Sequence, residues 1–213
     1  MKEGFPQTQN TIEQNKILDT IDSLNCYNPA KIDLLLASEG LKPATDVVLG
    51  TWQKPLNDTY NLVEEKKKFE DVCNLLKLYK SDFYQHEDQP ELMSVYVSAN
   101  QEKLTEIVSE HVKNNYAHNK AEDSKDIGAL LGFPETAVRA FSLGEDQLLP
   151  LGEHDYVGIP EDIVKKEYMA FCSFRLSKAH WEEELETVKK WAECIKRVHP
   201  ELYKKYVTEH FQV

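Results

Sequence analysis

Residues 92–100 read Leu-Met-Ser-Val-Tyr-Val-Ser-Ala-Asn, and this stretch decides the fold because it predicts a strand followed at once by a helix. Valine and tyrosine within a short apolar run are typical of a strand. Asn100 is a residue type that caps helices, and Leu104 and Ile107 then fall on one helix face. The stretch therefore predicts a strand that leads directly into a helix packed against it.

Two more apolar segments predict strands, near 46–50 and 168–176. The second reads Tyr-Met-Ala-Phe-Cys-Ser-Phe-Arg-Leu, which is long enough and apolar enough for a central strand. Long helices are predicted over 60–79 and 178–197, with Ser177 as the cap of the latter. We therefore expect an α+β fold in which a small central sheet is covered by long helices.

The predicted C-terminal helix has one apolar face, and the bounds of the expected domain follow from composition. Apolar residues in the helix 178–197 recur at spacings of three and four, which marks one buried face; they are Trp181, Leu185, Val188, Ala192 and Ile195. Residues 1–10 are polar and predict a flexible tail. Residues 11–213 are then expected to form a single globular domain, since 213 residues suit one core.

Charge and cysteine usage narrow the classes of function. The formal net charge is −12, which argues against nucleic acid and anionic membranes as partners. No segment has the about 20 apolar residues of a membrane span, and the start has no apolar signal region. The four cysteines are scattered singly, so reduced thiols and a cytoplasmic location are expected. Phosphate-loop, paired-cysteine and His-Glu-x-x-His patterns are missing, so no cofactor and no metal are predicted.

The most organised local pattern is a helical hairpin near 124–142. Gly132 ends its first helix and Pro134 suits the start of its second. The layout is also that of a helix-turn-helix, in which the second helix would contact base edges. Here that helix offers Arg139 alone, and Glu135 opposes it, so a packed hairpin is favoured and a DNA reader remains an alternative.

The segment 131–141, Leu-Gly-Phe-Pro-Glu-Thr-Ala-Val-Arg-Ala-Phe, resembles a motif of a little-studied prokaryotic family of unknown function. Members of that family carry Leu-Gly-Tyr-Pro-x-Cys-Cys-Val-x-x-Phe. The segments 40–45 (Gly-Leu-Lys-Pro-Ala-Thr) and 171–173 (Phe-Cys-Ser) are also similar to the family, in the same order. Thr136 and Ala137 replace its paired cysteines, and Leu176 its last one. The resemblance implies a shared fold and supplies no activity.

The candidate site residues cluster around the apolar segment 168–176. Cys172 is a possible nucleophile, with His180 and Arg175 close in sequence, although a cysteine in this apolar context more often packs in a core. Arg175, Ser177 and His180 would lie at a strand end that opens onto a helix start, a position that favours anions. Together with Arg139 these form the predicted ligand-binding set, and no catalytic residue is assigned.

Three functional hypotheses follow from these residues. The first is a binding or interaction module for a protein or a small anionic ligand, because catalytic motifs are missing. The second is an enzyme with a pocket around Cys172, Arg175 and His180, and the third is a helix-turn-helix regulator that binds DNA. Convergence of these side chains and Arg139 in one concave pocket would favour the enzyme, and their dispersal would count against it.

Overall fold

The computed structural model of the protein describes residues 16–17, 19–26, 28–50, 62–85, 92–117, 127–151 and 156–211. Seven α-helices are named here in chain order along these residues: α1 Asn28–Ser38, α2 Leu62–Leu76, α3 Gln101–Ala117, α4 Glu135–Leu143, α5 Glu161–Val164, α6 Trp181–Val198 and α7 Pro200–Phe211. Residues 19–22 and 127–130 are also helical, and Glu145–Gln147 and Glu167–Phe171 form 3-10 turns. The predicted tail 1–10 lies outside the described residues.

An antiparallel sheet of four strands lies at the centre: β1 Thr45–Leu49, β2 Tyr79–Lys80, β3 Tyr84–Gln85 and β4 Met93–Ser98. Strand β4 is central, since β1 pairs along one edge and the two short strands share the other. All six residues of β4 are buried, so both faces of the sheet are covered. The prediction of an α+β fold around strand 92–98 is confirmed.

The two faces of the sheet have different coverings. The main core joins Val47, Val95 and Val97 to α1, α2 and α6, and it extends from Ile21 to Tyr206. The opposite face carries a smaller cluster, in which Tyr96 packs with Leu104 and Ile107 of α3. Asn100 caps α3 as predicted, because its Oδ1 accepts the backbone N–H groups of Glu102 and Lys103 at 2.8 and 3.2 Å.

The predicted strand over 168–176 is wrong. Glu167–Phe171 is a 3-10 turn, and the chain then runs irregularly until Ser177 forms an isolated bridge with Leu148. The apolar side chains of this segment are buried by rings instead of by strand pairing. Phe171 stacks on Tyr203 at 5.0 Å between centroids, and Phe174 meets the edge of Trp191 at 5.7 Å. An apolar run predicts burial more reliably than it predicts which element is buried.

Two further predictions need correction, one at a helix start and one in helix packing. Helix α6 begins at Trp181, so Ser177 precedes it by a full turn and does not occupy the cap position. Helix α6 packs mainly on α7, the 3-10 turn, α1 and α4, while α1 and α3 pack on the sheet.

Candidate functional site: an apolar groove beside a buried ion pair

A groove of about 410 Å³ lies between the helical hairpin and the irregular segment 173–175. Its apolar wall includes Ile127, Leu131, Phe133, Val138, Phe141 and Phe174. Ser173 and Arg175 are the polar side chains along its lining. A concave apolar surface with a few polar groups is the usual form of a small-molecule site.

Two glycines allow the hairpin that shapes this groove to pack closely. A Cβ at Gly128 would lie 2.9 Å from a methyl of Val138, so the two helical segments meet over this glycine. Gly132 has a φ of +75°, and a Cβ there would lie 2.7 Å from Cδ of Pro43. The turn therefore requires glycine both for its backbone conformation and for its contact with Pro43. The predicted hairpin is confirmed over 127–142.

A buried ion pair lies beside the groove. Lys42 Nζ is 2.6 Å from Asp33 Oδ2, and the lysine side chain is fully enclosed. Lys42 also donates to Ser173 Oγ at 3.2 Å, and Ser173 donates to Asp33 Oδ1 at 3.2 Å. Ser173 thus belongs both to this network and to the groove lining.

Two aromatic rings complete the enclosure of the Lys42 ammonium group. Its Nζ lies 4.7 Å from the ring centroid of Phe133 and 4.8 Å from that of Trp191. Both rings offer their electron-rich faces to the cation, which is a favourable arrangement where water is excluded. Phe133 therefore has two neighbours, the groove and the buried cation.

Burial and pairing act in opposite directions on the two charges. Burial lowers the pKa of Lys42, and the attraction of Asp33 partly opposes that shift. Burial likewise raises the pKa of Asp33, against the effect of Lys42 and the hydrogen bonds from Ser173 and Thr45. Each charge depends on the other, because a buried ion without its partner is strongly destabilising.

The network joins three segments that are far apart in the sequence. Lys42 and Pro43 belong to 40–45, Gly132 and Phe133 to 131–141, and Ser173 to 171–173. Pro43 meets Gly132, while Lys42 contacts both Phe133 and Ser173. Segments that are far apart in the sequence therefore form one structural unit.

Arg175 lies on the groove with part of its hydrogen-bonding capacity unused. Its Nη2 donates to Glu145 Oε2 and to the carbonyl of Leu149, both at 3.1 Å. Its Nε is buried and has no hydrogen-bond partner among the residues that the structure describes. A buried donor without an acceptor carries a desolvation penalty.

Cys172 does not have the properties of a nucleophile. Its thiol is 3.4 Å from the carbonyl of Phe174, to which it donates, and 3.8 Å from the hydroxyl of Tyr156. Burial raises the pKa of Cys172 to about 11, so the thiol stays protonated at neutral pH. The residue packs beside the groove and does not contribute to its lining.

The other predicted site residues are dispersed. Ser177 is buried and bound to Glu184, which accepts its N–H at 2.8 Å and its hydroxyl at 2.6 Å. His180 is half exposed, with its Nδ1 3.7 Å from Glu183. Arg139 is exposed on α4 and lies outside the groove lining. Of the predicted set only Arg175 lines the groove, which counts against a pocket shared with Cys172 and His180.

The sequence prediction missed Asp33, Lys42 and Ser173. One signal was available for Asp33, because it interrupts the apolar run Ile32–Leu36 on a helix that faces the core. A charged residue in such a run needs a partner of opposite charge. Lys42 was noted only as part of the segment 40–45, and no local sequence pattern indicates that Lys42 and Asp33 are in contact.

A second concavity, of about 360 Å³, lies where α6 and α7 meet the 3-10 turn at 167–171. Its lysines are Lys166, Lys189 and Lys196, and its acidic residues are Glu167 and Glu193. Glu167 accepts the hydroxyl of Tyr203 at 2.9 Å and lies 3.5 Å from Lys196. Charges of both signs line this surface, and it shows no preference for an anion or a cation.

Other types of site are not found in the part of the chain that the structure describes. No cluster of three or more His, Cys, Asp or Glu side chains there could hold a metal ion. Within the same residues, no helix has the length and apolar character needed to cross a membrane. Comparisons with protein-family models, with curated proteins and with solved structures found no match to this chain.

Proposed function

We propose that the protein binds an amphipathic organic anion, with its apolar part in the groove and its acidic group at Arg175. The observation that carries this proposal is the pairing of an apolar wall with the guanidinium group of Arg175, whose side chain lines the groove and is 27% exposed. The groove volume of about 410 Å³ falls in the range of small-molecule sites, which is roughly 300–1,000 Å³.

The charges around Arg175 favour an acid over a neutral ligand. The carboxylate of Glu145 that pairs with Arg175 is 75% exposed, so water weakens this pair and a ligand can compete for the guanidinium. The net charge of −12 repels anions at long range, so the binding of an acid depends on Arg175 itself. A single guanidinium suits a monoanion such as a carboxylate.

The apolar wall should make affinity depend on chain length. Burial of a methylene group contributes about 0.8 kcal/mol, which corresponds to roughly fourfold in affinity. We therefore expect linear carboxylates to bind more tightly with each added carbon until the groove is filled. Octanoate is a suitable probe, and octan-1-ol is its matched neutral analogue.

Titration calorimetry with octanoate and octan-1-ol tests this proposal. We expect octanoate to bind about tenfold more tightly than the alcohol, and Arg175→Gln to abolish that preference. Arg197→Gln is the control, because Arg197 is exposed on α6 and lies outside the groove. Equal affinity for acid and alcohol in the unmodified protein would contradict the role of Arg175.

A second pair of variants tests the apolar wall. Phe141 lines the groove and is 51% exposed, while Leu143 on the same helix is 65% exposed and does not line it. Phe141→Ala should weaken octanoate binding about tenfold, and Leu143→Ala should leave it unchanged. If the two variants bind octanoate equally, the ligand does not occupy this groove. If the protein binds a peptide but neither octanoate nor octan-1-ol, the groove serves a protein partner instead of a small acid.

A further inference from the structure

We propose that Ser173 is a nucleophile that takes the acyl group of a carboxylic ester bound in the groove. The inference rests on the proposed function, since the acid released from such an ester is the amphipathic anion expected to bind there. It names the ligand class more closely, as esters of medium-chain acids. It also assigns an activity to a residue outside the set predicted from the sequence.

The position of Ser173 is the first support. It lies in the groove lining, and its Oγ donates a hydrogen bond to Asp33 Oδ1 at 3.2 Å. A nucleophile within hydrogen-bond reach of a base, beside a concave apolar surface, is the arrangement that acyl transfer requires. The distance is at the long end of the range expected before substrate binds.

Asp33 is suited to accept the proton of Ser173. Its other oxygen, Oδ2, is held by Lys42 Nζ at 2.6 Å, so the carboxylate is fixed in orientation. Burial raises the pKa of Asp33, which makes it a stronger base than an exposed aspartate. Lys42 acts here as a positioning residue, because it is fully enclosed and does not reach the groove.

Arg175 provides the donor for the developing oxyanion. It lies in the same lining two residues after Ser173, and its buried Nε–H has no acceptor among the described residues. Because the Nε has almost no exposed area in the free protein, the proposal includes a turn of the Arg175 side chain when the ester binds. The guanidinium group then stabilises the negative charge that forms on the carbonyl oxygen.

The reaction balances with water as the second substrate. Ser173 Oγ forms a bond to the ester carbonyl carbon while its proton passes to Asp33, and the carbonyl oxygen becomes the oxyanion. The tetrahedral intermediate collapses with cleavage of the bond to the alcohol oxygen, which takes the proton from Asp33. Water then attacks the acyl-serine with Asp33 as base, and Ser173 recovers its proton as the acid leaves.

Labelling with an alkyl fluorophosphonate tests the nucleophile directly, because this probe reacts with activated serines. We expect one adduct by intact mass, located at Ser173 by peptide mapping, and slower labelling in the presence of octanoate. Ser173→Ala should remove the adduct. Ser142→Ala is the matched control, since Ser142 is on α4 and its hydroxyl binds only the carbonyl of Arg139.

Hydrolysis of p-nitrophenyl octanoate provides the second measurement. Ser173→Ala should lower the rate at least 100-fold. The double variant Asp33→Asn with Lys42→Met, which leaves no buried charge without its partner, should do so with octanoate binding retained. The rate should rise with pH as Asp33 loses its proton, and the double variant should remove that dependence.

The outcomes separate the two proposals. Octanoate binding without any Ser173 adduct or hydrolysis overturns the nucleophile and leaves the binding function intact. An adduct or hydrolysis that persists in Ser173→Ala assigns the reaction to another residue and also overturns it. Loss of octanoate binding in the unmodified protein removes both proposals. A Ser173 adduct that octanoate blocks supports both.

Discussion

Asp33 and Asp46 are both removed from water, and their surroundings differ. Asp33, on α1, is held by Lys42 at 2.6 Å and by Ser173 at 3.2 Å. Asp46 lies in β1 opposite Tyr96, and its Oδ1 is buried without a hydrogen-bond partner among the described residues. One carboxylate belongs to the network beside the groove, and the other lies on the sheet face that α3 covers.

The difference shows what a partner does for a buried charge. Asp33 is balanced by an enclosed ammonium group, so its region tolerates the charge as long as the pair is complete. Asp46 has no such partner among the described residues, and burial raises its pKa from 3.8 to about 6. At neutral pH the carboxylate of Asp33 links α1 to Lys42 and Ser173, whereas the carboxylate of Asp46 lowers the stability of the fold.

Breaking the ion pair should produce the largest effect. Lys42→Met leaves Asp33 buried without its counter-charge, and we expect a loss of about 3–5 kcal/mol in the free energy of unfolding. Denaturant titration at pH 7.5 measures it. Asp33→Leu combined with Lys42→Met removes both charges and should recover most of the loss. A double variant as unstable as the single one would show that the pair is not the cause.

Glu184 tests whether hydrogen bonds can replace an opposite charge. It is fully buried and accepts the N–H and the hydroxyl of Ser177. Glu184→Ala leaves both donors without an acceptor and should lower stability by about 2 kcal/mol. Glu184→Gln keeps one acceptor oxygen and should lose less, and exposed Glu183→Ala should be nearly neutral. Equal losses for the three variants would contradict this explanation.

Removing the charge of Asp46 should give the smallest effect, with the opposite sign. Because its pKa is raised in the folded state, its contribution to stability is present below about pH 4 and is lost as pH rises through about 6. Asp46→Asn should therefore stabilise the protein by about 1 kcal/mol at pH 7.5, since each pKa unit is about 1.4 kcal/mol and burial of the amide offsets part of the gain. Thermal unfolding at pH 4 and 7.5 should show the gain only at the higher pH.

The fold was predictable where the pattern is local. The strand at 92–98 was predicted from its valine and tyrosine content, and helix α6 from the three-four spacing of its apolar residues, because both signals lie within the element itself. Segment 168–176 was mistaken for a strand because aromatic rings of α6 and α7 bury it, and nothing within the segment records those neighbours.

The candidate site was predictable only in part, for a related reason. Arg175 was identified from its position between an apolar segment and a predicted helix start, although the strand expected there does not form. The contact between Lys42 and Asp33 depends on how a loop folds back on helix α1, and Ser173 reaches them from a segment far along the chain. Such contacts are set by tertiary packing, which a single sequence does not show.

The two roles of Phe133 couple the shape of the groove to the enclosure of a buried charge. The ring is a wall of the groove on one side and a cover for the Lys42 ammonium on the other. A smaller side chain at 133 would enlarge the groove and admit water to the cation in the same step. Val138 and Phe141 line the groove and are not among the rings that cover that cation, so substitutions on α4 should change the groove alone, whereas a substitution at 133 should also change the enclosure of a buried charge.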